Sequence, residues 1–157
     1  MIVVIVRHGH AVDEARGLGD EGRYLSGKGR KETRKIAARL AEKKKHRAAR
    51  PVLIWTSALV RAVQTAEIVA DALELEDEVI AIPELAPGHD SREVIDRLAA
   101  AKDKGPIAIV GHEPQLGQIA SQLLGDTFGE LAKSGAIAIE WDGARGTQLF
   151  YDAPKRK

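Results

Sequence analysis

A chain of 157 residues with 44% hydrophobic and 30% charged side chains has the composition of a folded globular protein, long enough to bury roughly two-thirds of its unfolded surface without a metal or disulfide staple. It contains no cysteine, which excludes a disulfide scaffold, a thiolate metal site and a cysteine nucleophile, and its 4% of aromatics leaves few platforms for stacking nucleic-acid bases. The formal net charge of +1 conceals an asymmetry: residues 1–50 carry 14 Lys and Arg against 6 Asp and Glu, and the remainder carries 10 against 17.

In chain order, Ile2–Val6 is a β-branched, wholly apolar run, the pattern of a strand buried on both faces. It is followed, not preceded, by a basic residue, so the expectation is a structural strand rather than a secretory leader, and a cytoplasmic protein. Ser26 can cap a helix running to about Lys45, with Thr33, Ile36, Ala37, Leu40 and Ala41 on one face and Lys and Arg on the other. That solvated basic face (Lys28 to Arg50) accounts for most of the N-terminal charge. Val52–Trp55 reads as a second strand. Ser57 can cap a second helix with a stripe of Leu59, Val63, Ala66, Ala70 and Leu73. Val79–Ile82 is a weaker strand pattern. Asp90 with Glu93 resembles a capping box ahead of Val94, Ile95 and Leu98. Ile107–Val110 is a third buried strand. Pro114 opens a helix containing Leu116, Ile119, Ala120 and Leu123, which Gly125 stops. Ala136–Trp141 and Thr147–Tyr151 flank Asp142–Gly146 as a hairpin. This alternation predicts a three-layer α/β/α sandwich with a mostly parallel sheet and one antiparallel strand near the C-terminal hairpin. Residues 1–153 are expected to form one domain and 154–157 a frayed tail. No segment approaches the roughly 18 apolar residues of a membrane span.

Two phosphate motifs fail on context. Gly17-Leu18-Gly19-Asp20-Glu21-Gly22 matches G-x-G-x-x-G but neither leaves a strand nor opens a helix. Gly22 to Lys28 nearly matches a P-loop, yet Gly29 stands where Ser or Thr would hold magnesium. Neither is read as a nucleotide site.

In open parallel sheets ligands bind beyond the carboxyl ends of the strands. The first strand ends in Arg7-His8-Gly9, the strand at 107–110 in Gly111-His112, and the strand at 52–55 leads toward Arg61 in a first helical turn. Arg7, His8, Arg61 and His112 can therefore converge on one edge. Two forked guanidiniums and a helix N-terminus suit a phosphoryl group. Cationic neighbours would keep an imidazole neutral, with a lone pair for attack on phosphorus, and Gly9 permits close backbone approach. Taken singly, a His at a strand end is ordinarily structural and a surface Arg is solvated. The weight lies in the combination.

Arg7-His8-Gly9 after a hydrophobic N-terminal strand resembles the signature of the histidine phosphatase superfamily, the phosphoglycerate mutase-like fold. Leu25-Ser26-Gly27-Lys28-Gly29, the segment Ser57 to Ala66, Pro83-Glu84-Leu85 and Val110-Gly111-His112 resemble its other motifs and fall in family order. In length and in Pro83-Glu84-Leu85-Ala86-Pro87 the chain is most similar to the compact SixA-type phosphohistidine phosphatases. The resemblance implies His8 as phosphorylated nucleophile, Arg7, Arg61 and His112 as phosphoryl-binding groups, and Glu84 as an acid at the leaving group. It also implies Ser57 as a cap close to the site and Arg23 as a substrate contact. No metal and no cofactor are called for. His10 follows the signature where many relatives have Glu, Asp, Gln or Ala, and it is expected to line the rim rather than join His8 on a metal. Only Leu85 to His89 separates Glu84 from the next helix, so the site is expected to lack a lid and to admit phosphohistidine of a partner protein. The alternatives are a phosphatase for a small phosphorylated metabolite and a non-catalytic phosphoryl-binding module. No nucleic-acid or membrane partner is expected, and a monomer is the default.

Overall fold

The computed structural model describes residues 1–13, 17–42, 44 and 46–155. Among them, β1 (Ile2–Arg7), β2 (Leu53–Thr56), β3 (Val79–Ala81), β4 (Ile107–Gly111), β5 (Ala136–Trp141) and β6 (Gly146–Asp152) form one sheet in the order β3-β2-β4-β1-β5-β6. β1 pairs in parallel with β4, and β2 in parallel with both β4 and β3. β5 runs antiparallel to β1, and β6 antiparallel to β5, so β5 alone opposes the other strands.

The apolar runs are continuous because both faces of the sheet are covered. Side chains alternate across a strand. Val3, Ile5, Leu53, Trp55, Ile107 and Ile109 pack against α3 (Ser91–Ala100) and α4 (Gln115–Leu124). Val4, Val6, Ile54, Ala108 and Val110 pack against α1 (Gly27–Leu40) and α2 (Val60–Leu73). Fully burying each Ile, Leu or Val is worth about 1.5–3 kcal/mol, which sets these layers firmly and holds the strand ends in register.

Several local expectations are corrected. Ser26 does cap α1, its side chain accepting from Gly29 N, but the helix ends at Leu40 instead of running to Lys45. Lys43 and Lys45 lie outside the described residues. The stop has a partner: Arg50 donates to Ala41 O at 3.0 Å and to Leu73 O at 3.2 Å. One guanidinium thereby satisfies terminal carbonyls of both α1 and α2.

α2 starts at Val60 with Leu59 as its cap residue, so Ser57 is not its N-cap. The buried stripe of α2 is Ala62, Thr65, Ala66, Val69, Ala70 and Leu73, with Leu59 and Val63 only half-buried. Asp90 caps α3 by accepting from Arg92 N, while Glu93 turns to His89 instead of closing a capping box. Pro114 and the left-handed Gly125 (φ 71°) bound α4 as expected. Pro154 is half-buried and packs with Lys155 beside α1, while Arg156 and Lys157 lie outside the described residues. No helix among the described residues is long and apolar enough to cross a membrane.

Candidate active site

The carboxyl ends of β1, β4 and β2 are direct neighbours, with Arg7 opposite Gly111 and Thr56 opposite Val110. His8 and His112 leave adjacent strands side by side, ring centroids 5.1 Å apart. Arg61, in the first turn of α2, is buried at 6% exposure and its charge acts on both imidazoles. The sheet thus brings together the four residues that strand-end reasoning selected.

His8 is fixed by its backbone. Its N–H donates to Gly111 O at 3.1 Å, and its carbonyl accepts from Ser134 N at 3.2 Å. The ring Nδ1 lies 2.8 Å from Gly9 O. A carbonyl only accepts, so Nδ1 carries the proton and Nε2 carries the lone pair. Burial lowers the His8 pKa to about 3, against the opposing Gly9 hydrogen bond, with further depression from His112, Arg61 and Arg7. The ring is therefore neutral at pH 7.

Gly9 is required here. A Cβ at this position would stand 2.7 Å from Thr33 Oγ1 and 2.9 Å from Ser134 Oγ.

His112 is tuned by a different contact. Its Nε2 lies 2.7 Å from Ser57 Oγ, which also accepts from Leu59 N at 3.3 Å. In the tautomer where Ser57 gives its hydroxyl proton to Nε2, the ring proton of neutral His112 stands on Nδ1. Burial first, then Arg61 and Arg7, lowers this pKa to about 4, with Asp20 opposing.

The arginines are held through their Nη atoms, Arg7 by Nη1 alone and Arg61 by both. Arg7 Nη1 donates to Leu131 O at 2.7 Å and to Glu130 at 2.9 Å. Arg61 donates to Asp20 O at 2.8 Å and to its carboxylate at 3.2 Å. Arg7 Nε, Arg61 Nε and His112 Nδ1 are each buried without a hydrogen bond in the protein. Buried donors are ordinarily satisfied. The Nε–H groups of Arg7 and Arg61, with His112 Nδ1 in the tautomer that puts the ring proton there, can donate to an anion with several acceptor oxygens.

Sequence comparison agrees with this geometry. The histidine phosphatase superfamily (branch 1) model matches residues 3–86. The chain belongs to the histidine phosphatase superfamily. It is 32% identical to phosphohistidine phosphatase SixA of Escherichia coli over 88% of this chain and 83% of that protein. An uncharacterized protein of Picosynechococcus is 35% identical over 92% of this chain and 88% of its own length. The solved protein histidine phosphatase SixA complexed with tungstate superposes with a TM-score of 0.85 at 30% identity, covering 98% of this chain and 97% of that one.

The remaining predicted residues take distinct places. Ser57 is buried and faces His112. Arg23 Nε donates to Val12 O at 2.7 Å, and its Nη1 reaches Asp20 at 3.3 Å. Asp20 therefore bridges Arg61 and Arg23. Burial alone would raise its carboxyl, but those two guanidiniums prevail and hold it below the usual carboxylate range. Glu84 pairs with Arg97 at 2.9 Å, and Arg97 in turn lies over the Trp55 ring. The charges that act on His8 and His112 do not include Glu84. His10 Nδ1 is engaged by Ser26 Oγ at 2.7 Å.

Sequence reasoning missed four contributors. Thr65 Oγ1 accepts from Gly9 N at 3.1 Å and donates to Arg61 O at 2.8 Å, tying the signature loop to α2. Its signal was a hydroxyl on an otherwise apolar helix face. Ser134 is fully buried with φ 62°, a conformation uncommon outside glycine, and its N–H binds the His8 carbonyl. Asp20 and Glu130 hold the arginines but sit in loops, Asp20 at a variable position of the rejected G-x-G-x-x-G match and Glu130 outside any motif.

Proposed function

We propose that this protein is a phosphatase working through a phosphohistidine intermediate on His8 Nε2, with phosphohistidine of a partner protein as its substrate. The observation that carries this reading is the neutral His8. Its Nδ1–H is locked on Gly9 O, which leaves Nε2 as the nucleophile next to His112, with the Nε–H groups of Arg7 and Arg61 buried and unpaired.

In the first step the Nε2 lone pair attacks phosphorus. The Nε2–P bond forms and the substrate P–N bond breaks. The departing imidazole takes the bonding electron pair and a proton from solvent. In the second step water attacks phosphorus, the Nε2–P bond breaks back to the His8 lone pair, and inorganic phosphate leaves.

Arg7 Nε, Arg61 Nε and His112 Nδ1 donate to the phosphoryl oxygens throughout, where charge is concentrated in a water-poor setting. These groups supply the electrostatic stabilisation with no step that needs a metal. Ser57 positions His112, and Arg23 reaches the phosphoryl group on release of Asp20.

Imidazole is a better leaving group than an alkoxide, so demand on a general acid is modest. That accords with Glu84 being held by Arg97. The tungstate in the solved relative is a tetrahedral oxyanion of the class this donor set takes. Substrate class does not follow from the fold alone.

The test is a brief pulse with phosphate-labelled phosphohistidine peptide, followed by a comparison of turnover against sugar and nucleotide phosphates. The expected result is acid-labile, base-stable label on His8, absent in His8→Ala, and preference for the peptide. Preference for a small ester would reassign the substrate. Full activity of His8→Ala under chelator would overturn the mechanism.

A further inference from the structure

A groove of about 1110 Å³ runs along α1 beside the active site, lined by His10 and by cations of three separate segments. Lys28, Lys31, Lys35 and Arg39 come from α1, Lys133 from the loop before β5, and Lys155 from the C-terminal segment, against one carboxylate, Glu32. No carboxylate among the described residues forms an ion pair with any of these six. Basic residues on a helix face are often no more than solvated charge. Here the same sign is gathered from distant parts of the chain around a concavity, which one amphipathic helix does not explain.

Two residues that line the groove sit close in the chain to the catalytic edge. His10 stands two positions after His8, and Lys133 precedes Ser134, whose N–H binds the His8 carbonyl. Within the groove, burial first and then the charges of Lys133 and Lys28 lower the His10 pKa.

The opposite flank of the site differs in sign. A crevice of about 610 Å³ beyond Arg7 carries Glu113 and Glu130. Glu113 is spent on the backbone N–H groups of Gly117 and Leu131, and Glu130 on Arg7. A partner approaching the site thus meets cations on one side and carboxylates on the other. Such asymmetry orients an encounter as well as accelerating it.

We infer that the α1 groove docks an acidic segment of the phosphohistidine-bearing protein, adjacent to the residue whose phosphate His8 receives. This rests on the proposed function and names the chemistry of its partner. Cations spaced along one helix match carboxylates spaced along a polypeptide, and the groove has no aromatic lining on which bases would stack.

The test uses two phosphohistidine peptides, one with Glu and one with Gln around the phosphorylated residue, together with phosphoramidate. Wild-type protein is expected to turn over the Glu peptide with a kcat/KM about tenfold above the Gln peptide at low salt, the gap closing as ionic strength rises. In Lys31→Glu/Lys35→Glu/Arg39→Glu the preference disappears, while phosphoramidate turnover stays within about twofold, a margin of order 0.4 kcal/mol. Lys31→Gln/Lys35→Gln/Arg39→Gln gives an intermediate loss and guards against misfolding of the reversal variant. Equal rates for the two peptides, or a preference that survives both variants, overturns the docking inference alone.

Docking is also read without chemistry, by fluorescence anisotropy of the dephosphorylated Glu peptide on His8→Ala protein. Tight binding there supports the groove even if no phosphoenzyme forms, in which case it is the phosphatase reading that fails. Tighter binding of a single-stranded oligonucleotide of equal charge, displacing the peptide, would assign the groove to nucleic acid and overturn the inference.

Discussion

Lowering the pH from 7 to 5 should weaken the fold through His8 and His112, and the size of that loss measures the state of the nucleophile. Both imidazoles are depressed from 6.5, His8 to about 3 and His112 to about 4, with burial as the first cause. In the unfolded chain each would bind a proton as the pH falls through 6.5. In the native state neither does until far lower. Between those values the unfolded state holds more protons, so stability is fully present above pH 6.5 and is lost as the pH falls toward the folded pKa values. At about 1.36 kcal/mol per unit, each ring forfeits roughly 2 kcal/mol by pH 5, or ~4 kcal/mol for the pair as an upper bound. Partial solvent contact at His8 and relaxation around the charge reduce this to about 2 kcal/mol overall. The assay is urea unfolding in phosphate-free buffer at pH 7 and pH 5, for wild type and His8→Asn. The carboxylates contribute equally to both proteins, so the variant should lose about 1 kcal/mol less on acidification. Identical losses would mean that His8 is already protonated or free to become so. The case for a neutral nucleophile would then fall.

Four further outcomes follow from the same contacts. Arg61→Ala should cut kcat/KM by about 10²–10³, the worth of a charge-assisted fork, and Arg61→Lys should recover little because ammonium cannot fork; steady-state kinetics on a phosphohistidine peptide checks both. Asp20→Asn should lower the Ki of inorganic phosphate by up to about fivefold, since an exposed carboxylate no longer competes for Arg61 and Arg23. Ser57→Ala should reduce kcat by about fivefold with little change in KM, and should move the acid limb of the pH profile upward as His112 Nε2 loses its donor. Gly29→Ala should cost about 1–3 kcal/mol in urea unfolding, because its Cβ would strike the His10 carbonyl that receives Ser26 N–H.

How much of this was legible beforehand depends on the range of the interaction. Strands buried on both faces announce themselves as unbroken apolar runs, so β1, β2, β4 and β5 were placed to within a residue or two. Arg7, His8 and His112 sit at the ends of those runs, and their meeting follows from the adjacency of parallel strand ends. The end of α1 was misjudged because Lys43 to Lys45 continue a helix-compatible pattern. What fixes the end at Leu40 is Arg50, which becomes a neighbour only after the chain folds back. Ser57 read as a helix cap because a Ser two or three residues ahead of a helix has the right local chemistry. Its hydroxyl goes instead to His112, a partner 55 positions away. Asp20, Glu130 and Ser134 left no trace at all, since loop residues have no periodicity to reveal which side chain they will face.

The two carboxylates on the arginines also explain how so much positive charge is kept at one sheet edge. Arg7, Arg61 and Arg23 would repel one another and any protonated imidazole if left unpaired. Glu130 and Asp20 offset that repulsion while touching only the Nη atoms of Arg7 and Arg61. The Nε groups stay unengaged. In the proposed phosphatase, charge balance and anion recognition thus fall to different atoms of the same guanidiniums. A lysine has one nitrogen and cannot divide the two tasks. Burial first, and the arginine charges after it, keep both imidazoles neutral. His8 Nε2 then keeps its lone pair at neutral pH.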